Sequence, residues 1–402
     1  MNAAAPDRSD PIRITGVSTL VVNAEMRNWI LVKVTTDRDD LYGWGEASLN
    51  WKTTAVVGAI GDLEPLLIGR DPRDIDQIVE VLNKHSYYRL GIVGATAISG
   101  IEHALWDIFG KSAGLPVWRL LGGQVRDRLR VYTHLGLGEV RSVYETFDAD
   151  GLRDKALAVV EAGYDALKVV FIPYSGHLTR ASERRHVDRL MAALRDAVGP
   201  DVDIMIDMHG RPASVVAAQQ YVEILSGYDP LFCEEPVQPG DTEALRQITA
   251  TARCPIASGE RLVGLREFLP VLTSKALHIA QPDLNHTGGL LEGKRIAALA
   301  AAEGIGIAPH NPNGPIAGAA ALHFGISTPN VVIQEEMSGA VPWYDDVVTA
   351  TPVRREGSYW QVPTAPGLGV EVDEEEAAKH PYKPELMQTA AAVLDDGTVA
   401  NW

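Results

Sequence analysis

Cysteine is almost absent from this chain of 402 residues, which contains only Cys233 and Cys254. They lie in the apolar stretches PLFCEE and TARCPIA. This placement indicates buried thiols and argues against a disulfide framework or a cysteine zinc site. Because free thiols are typical of a reducing compartment, we expect a cytoplasmic protein.

Positive charge is also scarce. Lys and Arg total 36 against 53 Asp and Glu, which gives a formal net charge of -17. An acidic surface repels phosphate backbones and anionic membranes, so neither a nucleic acid nor a membrane is an expected partner. The net negative charge does not exclude an anionic small substrate, because a bound divalent cation reverses the electrostatic field locally.

Long apolar runs are missing as well. No stretch approaches the roughly 20 apolar residues of a membrane-spanning helix, and the start, MNAAAPDRSDP, contains no apolar segment typical of a signal peptide. The composition, with 46% hydrophobic and 22% charged residues, is that of a globular protein. The length fits an α/β barrel with an added domain.

Residues 1–128 have the pattern of an α+β domain. The runs ITGVSTLVVN, NWILVKVTT and LYGWGEAS, with a turn at residues 37–40, predict an antiparallel meander over residues 13–48. A helix is predicted in VGATAISGIEHALWDIFGK, where apolar residues recur at intervals of three and four. These residues are Ile98, Ile101, Leu105 and Ile108.

Residues 129–345 repeat a different pattern, in which short apolar runs end in polar residues and alternate with helical segments. The eight runs are RVYTHLG, YDALKVV, VDIMIDMH, PLFCEEP, PIASGER, LHIAQPD, GIGIAPH and NVVIQEE. Eight units of this kind predict a β/α barrel.

The polar residues that end the last six runs share one phase of the repeat, since consecutive members are 23 to 27 residues apart. They are Asp207, Glu234, Glu260, Asp283, His310 and Glu335. In such barrels the carboxyl ends of all strands meet at one mouth. A single Asp after a strand is more often a cap or turn residue, but six residues in phase indicate an active site.

Asp207, Glu234 and Glu260 end three successive runs, so their carboxylates are expected to surround one point. Such carboxylates repel one another unless a cation neutralises them. Oxygen ligands favour Mg²⁺, one per subunit, with Mn²⁺ also compatible. The alternative is an ion pair with Arg211 or Arg261. Each strand can direct only one of two adjacent residues inward, so the neighbours Glu235 and Glu336 are rivals of Glu234 and Glu335.

Two histidines are candidates for acid and base catalysis. His209 follows Asp207 by two residues, so both side chains face one side if the strand continues, and His310 comes from the seventh run. Asp283, one run earlier, could orient the His310 ring. A structural role is the alternative for each histidine, and His286, further into its loop, is expected to serve structure or contact solvent.

These groups suit one type of reaction. Removing a proton next to a carboxylate creates an enediolate, which needs a cation on its oxygens and a well-placed base. Glu335 could hydrogen-bond a developing enolate oxygen, although a capping role is its alternative. A neighbouring acid could then protonate a β-hydroxyl group and release it as water.

The chain resembles the enolase superfamily nearly from end to end, and within it the acid-sugar dehydratases of the D-galactonate type. The motifs that carry the resemblance are YGWGEA, HALWDIFGK, LLGGQVRDRL, IDMHGR, EEP, SGER, QPDLNHTGG, APHNPNGP, IQEE and PGLGVEVDEE. The resemblance implies a (β/α)7β TIM-like barrel over residues 129–345. It also implies a capping domain formed by residues 1–128 and completed by residues 346–402, and a homo-oligomer.

Roles for single residues follow from the same resemblance. It implies that Asp207, Glu234 and Glu260 bind magnesium, and that His209 is the acid that assists departure of the 3-hydroxyl group. His310 would be the base that removes the proton at carbon 2, Asp283 its partner and Glu335 the transition-state stabiliser. Substrate selection is expected partly in the loops at residues 20–28 and 46–51. The candidate substrate-binding residues are Asn50, Trp51, Lys168 and Asn311.

Some features depart from relatives. Superfamily racemases carry a Lys-x-Lys motif, but Lys168-Val169-Val170 keeps only the first lysine, which disfavours a racemase. The stretches HPYKPEL and LDDGTVANW resemble mannonate dehydratases, and WGEASLNWKTT differs from the galactonate pattern. We therefore predict a magnesium-dependent aldonate dehydratase that makes a 2-keto-3-deoxy acid. The alternatives are a dehydratase of mannonate, gluconate or an aldarate, an isomerase or cycloisomerase, and a noncatalytic regulator.

Overall fold

The structure, a computed structural model, describes residues 11–85, 87–138, 148–351, 353–385 and 392–401. Its amino-terminal part is an antiparallel sheet in the order β1-β2-β3, followed by helices, as the predicted meander requires. The elements are β1 (Ile14–Ala24), β2 (Arg27–Thr36), β3 (Tyr42–Glu46), α1 (Thr53–Leu63), a 3₁₀ turn (Glu64–Leu66), α2 (Ile75–Lys84), α3 (Gly91–Ala113) and α4 (Val117–Leu120).

Helix α3 is enclosed on every side, because all of residues 94–108 are buried. The predicted single apolar face was therefore only part of its buried surface. On one side, β3 crosses the helix with the two backbones in contact. A Cβ atom on Gly45 would collide with the carbonyl oxygen of Gly100, so only glycine permits this approach.

From residue 128 onward, strands and helices alternate. The strands are β4 (Arg128–His134), β5 (Ala166–Val169), β6 (Asp203–Asp207), β7 (Phe232–Glu234), β8 (Ile256–Ser258), β9 (Ile279–Ala280), β10 (Gly306–Ile307) and β11 (Gln334–Glu335). The helices are α5 (Ala149–Glu161), α6 (Ala181–Val198), α7 (Val215–Ser226), α8 (Thr242–Thr251), α9 (Gly264–Thr273), α10 (Leu290–Ala302) and α11 (Pro315–Ser327). In the described parts of the chain this is the predicted (β/α)7β order.

Parallel pairing runs around the whole ring of strands. Strands β4 to β10 pair in sequence order, and β11 pairs with β4. Between β10 and β11, Ile307 forms a parallel bridge with Val331 and accepts a hydrogen bond of 2.7 Å from the Val332 N–H. Each strand of the ring is therefore linked to both of its neighbours, as in a β-barrel.

Seven buried side chains form one cluster, the apolar layer, inside the barrel. Its members are Tyr132, Ala166, Met205, Phe232, Ala257, Ala308 and Ile333. All but Ala257 are followed two residues later by a polar residue. These polar residues are His134, Lys168, Asp207, Glu234, His310 and Glu335. Since side chains in a strand alternate with a period of two, the layer beneath directs these polar groups into the same interior.

The last elements return to the earlier parts of the chain. They are β12 (Val348–Ala350), β13 (Arg355–Glu356), β14 (Tyr359–Gln361), β15 (Glu371–Val372) and α12 (Glu374–Ala377). Strand β14 pairs antiparallel with β4. Further on, the Glu385 carboxylate accepts the Asn28 N–H at 2.8 Å and the Thr53 hydroxyl at 3.3 Å. The predicted domain boundaries stay predictions.

None of the helices in the described segments combines the length and the apolar character needed to span a bilayer.

We predict that Gly45→Ala lowers the free energy of unfolding by about 1–3 kcal/mol, the usual cost of overpacking, because the added methyl meets the Gly100 carbonyl. Gly58→Ala is the matched control, since Gly58 is exposed on α1 and its Cβ would have open space. That control should gain roughly 0.5–1 kcal/mol from helix propensity. Urea unfolding measures both, and equal effects would contradict the close packing.

Candidate active site

Three carboxylates converge at the carboxyl ends of β6, β7 and β8. Strand β6 ends at Asp207 and β7 ends at Glu234, its partner in the parallel register, and Glu260 lies two residues after β8. Each residue offers an oxygen atom, and these atoms all lie within 4.8 Å of one another. The three predicted metal ligands are therefore brought together.

The chemistry of this carboxylate triad suits a cation. Burial, together with the charges of Asp207 and Glu260, raises the pKa of Glu234 well above its usual range, against the opposing effect of Lys168. Oε2 of Glu260 is buried and accepts no hydrogen bond from the residues that the structure describes. An all-oxygen set with an unused buried oxygen fits a hard divalent cation such as Mg²⁺ or Mn²⁺.

The arginines named as alternative partners hydrogen-bond groups outside the triad. Arg261 donates from Nε to Glu235 at 2.6 Å, and Glu235 also accepts the Ser258 hydroxyl at 2.7 Å. Arg211 donates to the carbonyl oxygen of Ile172 at 2.7 Å. Glu235, which follows β7, is thus bonded to Arg261 and Ser258, and Glu234 is the residue that joins the triad.

Lys168, a predicted substrate-binding residue, lies between two carboxylates. Its Nζ atom is 2.9 Å from Oε1 of Glu234 and 2.9 Å from Oε1 of Glu335. Burial lowers the pKa of Lys168, but these two carboxylates outweigh it and raise the pKa well above the usual range. The lysine therefore carries a fixed positive charge beside the triad.

His310 and Asp283 form a hydrogen-bonded pair. Nδ1 of His310 is 2.7 Å from Oδ2 of Asp283, and its Nε2 is 3.7 Å from Oε2 of Glu260. The Asn313 amide also donates to Oδ2 of Asp283, at 3.2 Å. Burial lowers the pKa of His310, but Glu260, Glu335 and Asp283 outweigh it and raise the pKa to about 10. A cation at the triad would offset part of this negative field.

Glu335 is fully buried and held by several donors. Oε2 accepts the Asn311 N–H at 2.6 Å, and Oε1 is 2.6 Å from Nε2 of His134. Burial raises the pKa of Glu335, but Lys168 and the histidines outweigh it and lower the pKa well below its usual range. The rival Glu336 accepts instead from the Trp360 indole at 3.0 Å.

His134 was missed by the sequence reasoning. It ends β4 beside Glu335, and burial lowers the pKa of its ring, so the neutral imidazole donates to that carboxylate. The signal was present, since RVYTHLG is the first of the eight repeated runs and His134 ends its strand.

His209 reaches the triad by a different route from the one expected. The strand geometry does not continue to it, because β6 ends at Asp207 and His209 has a left-handed φ of 50°. That turn returns the ring to the carboxylate, with Nε2 2.8 Å from Oδ2 of Asp207. One imidazole thus adjoins Asp207 and another faces Glu260.

A cavity of about 410 Å³ opens above these groups. Its walls combine residues of the barrel mouth with residues of the amino-terminal part. From the latter come Arg27, Leu49, Asn50, Trp51, Lys52 and Ile92. Asn50 and Trp51 are therefore placed where a substrate could touch them. Arg27, which also donates to the Pro312 carbonyl oxygen, was not singled out from the sequence.

Asn311 was expected to bind substrate, and that role stays a prediction. The structure buries it, and the described residues that line the cavity do not include it. Its side-chain amide is 3.5 Å from the Glu335 carbonyl oxygen, and its backbone N–H donates a hydrogen bond to the Glu335 carboxylate. Asn311 is therefore bonded to Glu335 through both its backbone and its side chain. His286, expected to serve structure or contact solvent, lies in the cavity wall with Nδ1 3.2 Å from the Thr96 hydroxyl.

Two family models match the chain over most of its length. The mandelate racemase/muconate lactonizing enzyme N-terminal domain matches residues 5–122, and the enolase C-terminal domain-like family matches residues 151–377. The chain belongs to the enolase superfamily. Both the superfamily prediction and the predicted α/β fold with a capping domain are thereby confirmed.

Named relatives extend this assignment. D-galactonate dehydratases from Cronobacter sakazakii and Klebsiella pneumoniae are each 35% identical over 379 residues, covering 93% of this chain and 96% of theirs. An enolase from Pantoea ananatis with bound D-gluconate and Mg superposes with a TM-score of 0.87 at 30% identity, covering 97% of this chain and 100% of that one. These relatives confirm that the chain is an enzyme of the hydro-lyase class.

We predict that Mg²⁺ raises the Tm of the wild-type protein in differential scanning fluorimetry and that Glu260→Gln loses most of this rise, because it removes one charged ligand. Glu235→Gln is the control. It breaks the pair with Arg261 and lowers the Tm without metal, but it should keep the Mg²⁺-dependent rise. Equal loss of that rise in both variants would contradict the assignment of the triad.

Proposed function

We propose that the protein is a Mg²⁺-dependent dehydratase of a sugar acid, a D-galactonate-like aldonate, and that its product is a 2-keto-3-deoxy acid. The observation that carries the proposal is the pair of imidazoles at the carboxylate triad, His209 beside Asp207 and His310 toward Glu260. A dehydration needs both a base and an acid at one bound substrate, and this arrangement supplies two candidates.

Proton removal falls to His310. Its Nδ1 is bonded to Asp283, which leaves Nε2 as the nitrogen that takes the proton from carbon 2. Mg²⁺ held by Asp207, Glu234 and Glu260 would supply positive charge next to the substrate carboxylate. The electrons of the broken C–H bond then move into the carboxylate, giving an enediolate.

His209 assists the departure of the 3-hydroxyl group as water. As the bond from carbon 3 to its hydroxyl oxygen breaks, a protonated His209 gives that oxygen a proton, and the enol formed becomes the 2-keto acid. Glu335, held by His134 and Asn311, lies in the cavity wall, where its carboxylate can accept a hydrogen bond from a substrate hydroxyl group, and Lys168 adds a positive charge beside it.

The identity of the sugar acid is the most specific part of the proposal. The relatives named D-galactonate dehydratase favour galactonate, whereas the Pantoea ananatis enolase was solved with D-gluconate. Asn50 and Trp51 lie in the cavity wall, within a stretch that differs from the galactonate pattern. Gluconate is therefore the second candidate, and mannonate and the aldarates follow.

Two alternative activities would give different results in the tests below. An isomerase or cycloisomerase would use the same metal and His310 but release no water. A noncatalytic regulator is disfavoured because every predicted ligand and base is present. Cytoplasmic location and homo-oligomeric assembly stay predictions.

We predict that, among C5 and C6 aldonates and aldarates offered with Mg²⁺, the purified protein converts D-galactonate or D-gluconate to a 2-keto-3-deoxy acid. A carbonyl reagent detects the product, and EDTA should abolish the signal. A rearranged product without loss of water would favour the isomerase alternative. No turnover across the panel would contradict the proposed function.

We predict that His310→Asn abolishes exchange of the carbon-2 proton with solvent deuterium, because no other side chain is assigned to remove that proton. The exchange is followed by proton NMR of recovered substrate. His278→Asn is the matched control, since His278 directly precedes β9 at the other end of the barrel and should leave exchange unchanged. Wild-type exchange in His310→Asn would rule out this base.

We predict that His209→Asn separates the two steps. Carbon-2 exchange should persist, while formation of the 2-keto product falls by roughly 10²-fold or more, as expected for loss of a general acid. Both rates come from one reaction in deuterated buffer. Full product formation with Mg²⁺ bound would show that another group acts as the acid.

A further inference from the structure

Two buried glutamates of the amino-terminal part reach across to the barrel. Glu46 ends β3 and Glu102 lies on α3, and neither side chain is exposed. Each accepts hydrogen bonds from backbone N–H groups at the first turn of a barrel helix. These N–H groups have no partner within their own helix, and the helix dipole favours a negative charge beside them.

Glu46 binds the start of α11. Its Oε1 accepts the Gly314 N–H at 2.7 Å, and its Oε2 accepts the Ala317 N–H at 2.9 Å. The Ser48 hydroxyl donates to Oε1 at 2.6 Å and completes the set. Helix α11 begins five residues after His310, so Glu46 fixes the far end of the His310 loop.

Glu102 binds the start of α10 in the same way. Its Oε2 accepts the Leu290 N–H and its Oε1 the Leu291 N–H, each at 2.9 Å. One turn earlier on α3, the Ser99 hydroxyl accepts the Gly288 N–H at 3.0 Å. Helix α10 follows the loop that contains Asp283, so this face of α3 holds the Asp283 loop.

The helices that follow two of the triad strands are capped differently. In α7 the Ser214 hydroxyl accepts the Ala217 N–H at 3.1 Å, and in α8 the Asp241 carboxylate accepts the Ala244 N–H at 2.9 Å. These caps are local to the barrel.

At α10 and α11 the cap positions are the glycines Gly289 and Gly314, which have no side chain to offer. A Cβ on Gly289 would collide with the Glu102 carboxylate, and one on Gly314 would approach the Glu46 carboxylate to 2.9 Å. The sequence thus omits a local cap at the two places where the amino-terminal part supplies one.

We propose that Glu46 and Glu102 are positioning residues that hold the His310–Asp283 pair in a fixed position relative to the capping domain. The position of the carboxylate triad, in contrast, is determined by the barrel alone. The proposal rests on the proposed function for its kinetic part only. Its structural part, a clamp on two loops, is independent of the substrate.

The test compares Glu46→Gln and Glu102→Gln with the wild type. Each amide keeps the side-chain size but places an NH₂ group against a backbone N–H. Asp107→Asn is the matched control. Asp107 is a buried acid of α3 that accepts the Trp44 and Leu368 N–H groups and pairs with Lys111, so these bonds do not involve the first turns of α10 and α11.

Three measurements are made on each folded variant. Amide hydrogen exchange should accelerate at residues 288–291 in Glu102→Gln and at Gly314, Ile316 and Ala317 in Glu46→Gln. Carbon-2 exchange and kcat should fall about 10- to 100-fold, the scale expected for a catalytic group displaced by a fraction of an ångström to 1 Å. The dissociation constant of Mg²⁺ from calorimetry should stay within about twofold, and KM should change less than kcat.

Asp107→Asn should lower the Tm while keeping kcat and the exchange of both loops. If a Gln variant does not fold, Glu46→Asp or Glu102→Asp, which keeps the charge but withdraws it by one methylene, is measured instead. Unchanged loop exchange, unchanged kcat, or a parallel loss of Mg²⁺ affinity would each overturn the proposal. If the wild type dehydrates no sugar acid, the proposed function fails, and loop exchange with Mg²⁺ affinity still decides whether the clamp exists.

Discussion

The burial of like charges at the barrel mouth is the constraint on which the rest of the structure depends. Among the residues that the structure describes, five carboxylates lie at this mouth, and they are Asp207, Glu234, Glu260, Asp283 and Glu335. Buried carboxylates must be paired, hydrogen-bonded or neutralised by a cation. Here Lys168, two histidines and backbone N–H groups supply part of the compensation, and a divalent cation at the triad would supply the rest. The apolar layer beneath fixes where each of these groups stands.

The site has two halves with different supports. The triad follows three successive strands, with local caps on the helices after β6 and β7, whereas His310 and Asp283 lie in loops held from outside the barrel. The position of the triad can therefore stay constant while the loops that carry Asp283 and His310 depend on contacts with the amino-terminal part. This division agrees with the general use of variable loops for substrate discrimination on a rigid scaffold.

The repeat made much of this predictable, because a polar residue at one phase of a β/α unit always falls at the mouth. The same period of two that places Met205 below Asp207 places Phe232 below Glu234, and it could have separated Glu234 from Glu235. It could also have found His134 and Lys168 as residues of the interior. The period of two cannot predict turns, because the left-handed backbone at His209 and the inward burial of Asn311 depend on tertiary contacts. The polar face of α3 was hidden for the same reason, since its partners lie almost 190 residues away along the chain.

Glu385 has a consequence for how the chain folds during synthesis. It holds Thr53, next to the cavity-lining stretch at residues 49–52, across a separation of 332 residues. The ribosome therefore completes both the capping sheet and the barrel before it makes the residue that braces this wall of the cavity. Local contacts can form as the chain emerges, but this wall of the cavity gains the contact with Glu385 only after the strands of the barrel have been synthesised.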